Sequence, residues 1–229
     1  MIIDNAQGAM TSTSKVDSFP KELLDGYRSF IGGKYREESS KLKELADKGQ
    51  KPKTMIIACC DSRAAPEMIF DAHPGELFVV RNVANLVPEF APDGRHHSTS
   101  AAIEFAVNGL GVSNIVVMGH GRCGGIKAAL SGGDIKLDEG DFIGKWMSQL
   151  GPVAEQVASA GMMTEAERQT ALERVSVRQS VQHLRSFPYV QEQEKQGNLS
   201  LHGAWFDIST AELWLMDNKS GDFKRPEDV

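Results

Sequence analysis

Residues 55–63 read MIIACCDSR, and this stretch decides the fold because it joins a buried strand to a reactive end. Four apolar residues in succession, 55–58, are typical of a strand that is covered on both faces of a sheet. If the chain continues in an extended conformation, Cys59, Asp61 and Arg63 project from the same side of it. A thiol, a carboxylate and a guanidinium at the carboxyl end of a buried strand predict a functional site, since open α/β sheets bind ligands at that end.

A second buried strand is predicted over 114–118 (NIVVM), and the glycine-rich segment 119–125 (GHGRCGG) follows it directly. His120 and Cys123 are three residues apart in this turn, which leads into a predicted helix over 123–130. Together with Cys59 they would supply two thiolates and one imidazole, a soft ligand set that suits zinc. Asp61 is either a fourth ligand or a neighbour that leaves the fourth position to water.

Each of these residues has a simpler interpretation when it is taken alone. His120 could be a buried histidine with satisfied hydrogen bonds, and Cys59 could be a small core residue. The glycines also fit the pattern G-x-G-x-x-G of dinucleotide-binding proteins, with Asp138 or Glu139 as the ribose-binding carboxylate. No strand is predicted before those two carboxylates, which disfavours a nucleotide site. Cys60 should point away from Cys59, and we predict that it fills the core.

The composition of the chain suits a single globular α/β domain. The chain has 229 residues, a net charge of −6 and three cysteines, so neither a basic nucleic-acid surface nor a disulfide framework is indicated. No apolar run approaches the roughly 20 residues that span a bilayer, and the first residues lack the pattern of a secretory signal. We therefore expect a cytoplasmic protein with neither nucleic-acid nor membrane partners.

The alternation of predicted strands and helices indicates a mostly parallel sheet flanked by helices on both faces. Strands are expected over 55–58, 76–82, 114–118 and 199–208, and 211–216 should add an antiparallel C-terminal edge strand through a hairpin. Helices are expected over 65–70, 98–110, 123–130 and 142–187, the last one broken at 151–152 and near 161. The C-terminus is polar and is expected to be frayed.

The domain organisation follows from how polar each end of the chain is. Residues 1–17 are expected to be a mobile segment, and 18–229 to form a single domain. Within this domain, 18–48 reads as a helical arm with scattered apolar positions and many charges. Such a segment is poorly suited to a core of its own, so we predict that it packs on a partner subunit.

The two halves of the predicted site together resemble the β-class carbonic anhydrases. The resemblance rests on Cys59-x-Asp61-x-Arg63 followed by His120-x-x-Cys123. Further similar segments are 74–76 (PGE), 81–85 (RNVAN), 98–107, 124–126 (GGI) and 201–203 (LHG), so the similarity spans roughly residues 20–217. It implies a zinc enzyme that interconverts carbon dioxide and bicarbonate and self-associates as a dimer or a tetramer.

The resemblance also implies roles for individual residues. Cys59, His120 and Cys123 would hold Zn²⁺, while Asp61, kept ionised by Arg63, would orient the attacking hydroxide. Asp61 would be the fourth metal ligand only in a closed state. The residues that would line the substrate pocket, some of them supplied by the partner subunit, are Gln50, Phe78, Val83, Phe105 and Gly124.

A few positions depart from the family's pattern. Cys60 and Ala64 stand where serine and valine are usual, and Phe105 stands where tyrosine is frequent. Ile56 replaces a tryptophan that marks the branch with a second, inhibitory bicarbonate site, so we expect an open metal site near neutral pH. Two alternatives remain, namely a hydrolase of carbonyl sulfide or carbon disulfide on the same scaffold, and a non-catalytic protein that binds zinc or bicarbonate.

Overall fold

The structure is a computed structural model, and it describes residues 19–131, 137 and 140–226. The chain divides into two compact units, one ending at Asp47 and the other running from Lys48 onward. The predictions made for residues 1–17, Asp138 and Glu139 lie outside the described residues. Among the helices that the structure describes, none is long and apolar enough to cross a membrane.

The first unit is built from two helices, α1 over Lys21–Gly32 and α2 over Lys34–Lys48. Neither helix contains a fully buried residue. Leu23, Tyr27 and Ile31 follow helical spacing in α1, yet their exposed fractions are 60%, 61% and 37%. The predicted helices are therefore confirmed, and they form an amphipathic segment whose apolar stripe is left uncovered.

The strands of the second unit that the structure describes form one six-stranded sheet in the order β2-β1-β3-β4-β5-β6. Their bounds are β1 Thr54–Cys59, β2 Leu77–Asn82, β3 Asn114–His120, β4 Ser200–Asp207, β5 Glu212–Met216 and β6 Phe223–Lys224. Strands β1 to β4 are parallel to one another, whereas β5 is antiparallel to β4 and β6 is antiparallel to β5. The predicted mostly parallel sheet and the late hairpin are confirmed.

The helices of the second unit connect these strands and flank the sheet. Their bounds are α3 Pro66–Ile69, α4 Ser98–Glu104, α5 Gly124–Leu130, α6 Phe142–Met147, α7 Gly151–Ala158, α8 Glu165–Leu184 and α9 Pro188–Lys195. A π-helical segment, Phe105–Leu110, continues α4, and short 3₁₀ turns cover Val83–Asn85 and Ser148–Leu150. The breaks predicted in the long helical region are confirmed.

The sheet separates two apolar clusters because alternate residues of a strand face opposite sides. Met55 and Ile57 of β1 belong to the larger cluster, which also contains Val177 of α8 and residues of β3, β4 and the α4 region. Ile56 and Ala58 face the other side. Every residue of β1 after Thr54 is buried, as its uninterrupted apolar run predicts.

α8 lies unusually close to the sheet because two of the strands beneath it carry glycine. The helix begins at a capping box, in which Thr164 and Glu167 bond each other's backbone N–H. A Cβ at Gly119 of β3 would lie 2.7 Å from Cγ2 of Val177, and one at Gly203 of β4 would lie 2.9 Å from its Cγ1. The absence of side chains there lets α8 reach the carboxyl end of β3.

Two predictions about the ends of elements are wrong. Cys60 is exposed rather than part of the core. The reason is that β1 ends at Cys59, so Cys60 lies beyond the sheet, where its N–H donates to the carbonyl oxygen of Asn82 at 2.9 Å. The C-terminal region is not frayed throughout, because Phe223 is 9% exposed and joins the main core from β6, which pairs with β5.

Candidate metal centre

The centre lies where two neighbouring parallel strands end. β1 pairs with β2 on one side and with β3 on the other. After β1 the chain first adds a strand on one side and then a strand on the opposite side, so the order of strands reverses between β1 and β3. Cys59 is the last residue of β1, and His120 is the last residue of β3. Such a switch point leaves a crevice at the carboxyl ends of the strands, which is where open α/β sheets bind their ligands.

A tight turn brings Cys123 to the same point. Gly121 continues the pairing of β3 with β4 by donating its N–H to the carbonyl oxygen of Phe206 at 2.8 Å. Arg122 then adopts a left-handed backbone conformation, with φ at 56°. This conformation is uncommon for a residue with a side chain, and it reverses the chain so that Cys123 directly precedes α5.

The three predicted metal ligands lie together. Cys59, His120 and Cys123 each offer one ligand atom, and these atoms lie within 4.8 Å of one another. The two Sγ atoms are 4.0 Å apart, close to the separation that two Zn–S bonds of about 2.3 Å at a tetrahedral angle would give. Within the described part of the chain, no other group of three histidine, cysteine or acidic residues meets this spacing.

The imidazole of His120 is oriented with one nitrogen free for a metal. Its Nδ1 is 2.9 Å from the carbonyl oxygen of Gly121. A carbonyl oxygen can only accept, so Nδ1 carries the proton and Nε2 keeps its lone pair. Nε2 is buried and has no hydrogen-bond partner among the described residues. A buried, unpartnered acceptor beside two thiols fits a metal ligand whose other nitrogen is held by the backbone.

The contact between the two thiols favours a thiolate at Cys59. The Cys123 thiol donates a hydrogen bond to Cys59 and lowers its pKa, and the same contact raises the pKa of Cys123. The thiolate is the form that binds metals, so a metal ion would replace the proton that Cys123 keeps. Because sulfur and imidazole nitrogen suit zinc and the spacing matches, the residues present fit a zinc ion.

Asp61 and Arg63 form a close ion pair beside the three ligands. Nε of Arg63 donates to Oδ1 of Asp61 at 2.9 Å, and its Nη2 donates to Oδ2 at 2.7 Å. This bidentate contact holds the pKa of Asp61 well below its usual range. Oδ2 of Asp61 is 3.9 Å from Nε2 of His120, so the carboxylate borders the cluster while facing Arg63.

The local backbone brings this pair together in a different way from the one expected. Extended structure ends with β1, and the N–H of Ala64 donates to the carbonyl oxygen of Asp61 at 3.1 Å, which closes a turn. Inside it, the N–H of Arg63 donates to Oδ1 of Asp61 at 3.0 Å. The two side chains therefore meet through a turn and not through the alternation of a strand.

Arg81 of β2 supports the Cys59 side of the centre, and sequence reasoning gave it no role of its own. Its Nε donates to the carbonyl oxygen of Cys59 at 2.8 Å, and its Nη2 donates to that of Asp61 at 2.6 Å. The register of the sheet places Arg81 opposite Ala58, one residue before Cys59. A charged residue near the end of a buried parallel strand was the available signal.

Glu173 of α8 supports the Cys123 side, and the sequence analysis missed it. Its side chain is 1% exposed and accepts hydrogen bonds from Cys123 N, Trp205 Nε1 and Gln169 Nε2 at 2.9, 3.1 and 3.1 Å. Burial raises the pKa of Glu173, and those three donors act in the opposite direction. The available signal was a carboxylate four residues before Val177, on the apolar stripe of a helix.

Within one chain the predicted pocket residues are not all brought to this centre: Phe78 lies opposite Met55, four residues before Cys59, and Gln50 precedes the other end of β1. The rings of Phe78 and Phe105 are in contact, with their centroids 5.8 Å apart, and Phe105 is 53% exposed. Val83 lies against the start of α5, since a Cβ at Gly125 would be 2.9 Å from its Cγ1. Gly124 is exposed next to it, and Gln50 is exposed in the connection before β1.

Comparisons with known proteins identify similar chains. The sequence profile of the family described as "Carbonic anhydrase" matches residues 54–213. "Beta carbonic anhydrase 5, chloroplastic" of Arabidopsis thaliana is 38% identical over 90% of this chain and 68% of its own length. "Carbonic anhydrase" of Pseudomonas aeruginosa is 36% identical over 89% of this chain and 90% of its own length.

Solved structures show the same fold. The β-carbonic anhydrase CcaA superposes with a TM-score of 0.83 at 25% identity, over 90% of this chain and 92% of that one. One of two tetrameric β-carbonic anhydrases from Sordaria macrospora superposes with a TM-score of 0.74 at 29% identity, over 89% of this chain and 97% of that one. The mixed sheet flanked by helices is therefore an architecture shared with proteins of known structure.

Proposed function

This chain belongs to the β-class carbonic anhydrase family, and we propose that its Cys59, His120 and Cys123 hold a zinc ion at which carbon dioxide is hydrated reversibly to bicarbonate and a proton. The observation that carries this proposal is the convergence of three buried ligand atoms within 4.8 Å, one of them a histidine nitrogen with no partner in the described chain. A buried polar atom without a partner is costly, and a metal ion removes that cost.

Asp61 and Arg63 are the side chains that would orient the attacking water. A zinc ion held by the three ligands would make hydroxide available at neutral pH, since such an ion lowers the pKa of water to about 7. Asp61 lies beside the cluster as a carboxylate, so it can accept a hydrogen bond from the attacking water and fix its direction. Arg63 donates to both carboxylate oxygens, which keeps Asp61 ionised and paired with the guanidinium at the edge of the cluster. We therefore propose an open fourth position near neutral pH.

The substrate pocket that we propose is apolar, as carbon dioxide requires. Carbon dioxide is small and uncharged, so its site needs apolar walls and one or two donors. Phe78, Phe105 and Val83 are the apolar residues proposed for these walls, and each of them is at least partly exposed. Gln50 is the proposed side-chain donor, and the exposed Gly124 leaves the entrance free of side-chain atoms. A partner subunit would bring some of these residues to its neighbour's site.

Self-association, as a dimer or a tetramer, is supported by the uncovered stripe of α1. Leu23, Tyr27 and Ile31 are exposed there, together with Phe19 and Phe30. Exposed apolar stripes of this kind mark contact surfaces, and the Sordaria macrospora relatives are described as tetrameric. We propose that a second copy of the chain covers this stripe.

The assembly proposal can be tested by light scattering on the double variant Leu23→Asp/Tyr27→Asp. Charges on the stripe should shift the mass towards the monomer and lower the activity, because the pocket then lacks the partner's residues. Met162→Asp is the matched control, since Met162 is fully exposed outside α1. A double variant that keeps both the mass and the activity of the parent would contradict the proposed interface.

The cellular location stays a prediction. The relatives include proteins named as chloroplastic and as mitochondrial. The small number of cysteines favours a reducing compartment, and a cytoplasmic location is proposed on that ground.

The proposed function is tested by metal content and by parallel hydration assays. Purified protein should contain about one zinc per chain, and stopped-flow measurements should show rapid hydration of carbon dioxide. Carbonyl sulfide is the second substrate, because a related hydrolase could use the same metal ligands. Far less than one zinc per chain, or hydrolysis of carbonyl sulfide without hydration of carbon dioxide, would contradict the proposal.

A further inference from the structure

The backbone of Cys123 is held from both ends by side chains of α8. Its N–H donates to Oε1 of Glu173 at 2.9 Å, and its carbonyl oxygen accepts from Nε2 of Gln169 at 3.2 Å. Nε2 of Gln169 also lies 3.1 Å from Oε1 of Glu173, which links the two side chains. Glu173 and Gln169 are one helical turn apart, so both face the same point. We call this pair the α8 clamp.

The environment of Glu173 is costly for a residue whose task is packing alone. The side chain is 1% exposed in a region where its neighbours on α8, Leu172 and Val177, are completely buried. Burying a carboxylate costs several kcal/mol unless its oxygens are bonded, and apolar residues of similar volume are often as stable or more so. Its two oxygens are instead divided between the backbone of Cys123 and Nε1 of Trp205.

Cys123 and Glu173 are fifty positions apart in the sequence, and two features of the chain bring them into contact. Gly119 and Gly203 let α8 approach the sheet, and the capping box at Thr164 fixes where the helix begins. The clamp therefore acts on the turn between β3 and α5 from outside that turn. Two further contacts of the turn are the bond from Gly121 N–H to the carbonyl oxygen of Phe206 and the bond from Nη2 of Arg63 to the carbonyl oxygen of Arg122 at 3.3 Å. Neither of them touches the backbone of Cys123.

We propose that Glu173, assisted by Gln169, is a positioning residue that fixes the backbone of Cys123 and thereby slows the loss of the metal. The inference rests on the proposed function, since it needs a metal on Cys123. Groups that orient metal ligands typically change metal affinity or activity by about 10–100-fold when they are removed. Glu173 touches neither substrate nor metal in this account, so its effect is on the position of the Cys123 sulfur.

The competing explanation is that Glu173 serves only to satisfy Trp205 and the fold. The variant Trp205→Phe separates the two explanations, because phenylalanine keeps most of the packing and removes the indole donor. In that background the bonds left to position 173 are those with Cys123 and Gln169. Glutamine at position 173 keeps one acceptor for the Cys123 N–H, whereas methionine has a similar length and no comparable acceptor.

The experiment compares zinc release from the parent, Trp205→Phe, Glu173→Gln/Trp205→Phe and Glu173→Met/Trp205→Phe. Release is followed with an excess of a coloured chelator at neutral pH, and urea unfolding of the metal-free proteins gives their stabilities. Trp205→Phe should release zinc at close to the parent rate, and the glutamine double variant should stay close to Trp205→Phe. The methionine double variant should release zinc about 10–100-fold faster.

Replacing zinc with cobalt gives a spectroscopic measure of the position of the Cys123 sulfur. The thiolate-to-cobalt absorption of the methionine double variant should differ in intensity from that of Trp205→Phe, while the glutamine double variant should match it. If the methionine double variant does not fold, Gln169→Leu is the substitute, and it should accelerate zinc release in the same direction by a smaller factor.

The outcomes distinguish this proposal from the proposed function. A parent that binds no zinc overturns the proposed function. A parent that binds zinc, together with a methionine double variant that holds it as long as Trp205→Phe does, overturns the role of Glu173. Zinc release that follows the loss of stability across all variants, whichever residue stands at position 173, overturns that role as well.

Discussion

The two halves of the metal centre are built in different ways. On the Cys59 side, the ligand, the carboxylate and the guanidinium lie within 55–63, and the Arg63 side chain is 53% exposed. On the Cys123 side, the ligand is 1% exposed and its backbone is held by α8. The chemical groups of the first half are local in sequence and its Arg63 reaches solvent, with Arg81 of β2 as the support from another strand. The second half is buried and depends on contacts with α8.

This difference separates orientation of the reacting water from retention of the metal. Groups that act on a reacting water must reach the open side of the site, as Asp61 and Arg63 do. Groups that only position a ligand can be fully buried, as Glu173 is. We therefore expect changes at Asp61 and Arg63 to reduce activity with zinc retained, and changes at Cys123 or in the α8 clamp to release zinc.

The largest effect should come from Cys123→Ser. A neutral hydroxyl is a far poorer zinc ligand than a thiolate, so zinc content should fall well below one per chain and activity by more than about a hundredfold. Cys60→Ser is the matched control, because Cys60 is an exposed cysteine outside the cluster. Elemental analysis and hydration assays measure both variants. Tight zinc binding by Cys123→Ser would remove Cys123 from the ligand set.

The next largest effect should come from Asp61→Asn, which tests the other half. The amide cannot accept as a carboxylate does, so activity should fall by about 10²–10⁴-fold while zinc stays at about one per chain. Asp93→Asn is a close control, because Asp93 forms the same kind of pair with Arg95, two residues on, far from any metal ligand in sequence. Equal activity of Asp61→Asn and the parent would refute the role of Asp61.

The approach of α8 to the sheet predicts a smaller effect for Gly119→Ala. The new methyl group would meet Cγ2 of Val177 at 2.7 Å, so stability should fall by about 1–3 kcal/mol and zinc should be released faster as the clamp shifts. Gly151→Ala is the control, since no atom lies within 4 Å of a Cβ there. Urea unfolding measures the change, and Val177→Ala in the same chain should recover part of it. Failure of that rescue would argue against the contact.

The smallest effect concerns the pH dependence of stability and involves His202, which belongs to neither half of the metal centre. Partial desolvation lowers the pKa of His202 from its ordinary value of 6.5, although the residue as a whole is exposed. Below that pH the unfolded chain therefore binds a proton more readily than the folded one. Stability should therefore rise with pH up to about 6.5 and then level off for this group. In urea unfolding, the stability of the parent relative to His202→Gln should increase only slightly as pH rises through this range, because solvent screens so exposed a group, and it should then stay constant. A difference that does not change with pH would contradict the shift.

The sequence predicted those parts of the protein that depend on neighbours along the chain. The apolar run 55–58, the glycine-rich turn after 114–118 and the hairpin near 209–210 each identified their element before the structure did. The short strand β6 was missed because one buried side chain, Phe223, holds it in place. Cys60 was misassigned because alternation was extended one residue past the end of β1.

The roles of Arg81 and Glu173 could not be predicted in the same way. Each side chain reaches a backbone group on another element, at sequence separations of about twenty and fifty residues. Such contacts depend on strand register and helix approach, which no local pattern specifies. In the sequence, such contacts are indicated by a charged residue among the apolar residues of a strand or helix.

A crystal structure of the zinc-loaded protein near neutral pH tests the central claim most directly. We expect one zinc per chain on Sγ of Cys59, Nε2 of His120 and Sγ of Cys123, with the Asp61 carboxylate paired with Arg63 and a water or hydroxide in the fourth position. Zinc bound elsewhere would contradict the assignment of the centre. A carboxylate oxygen of Asp61 at bonding distance from the zinc would contradict the open site.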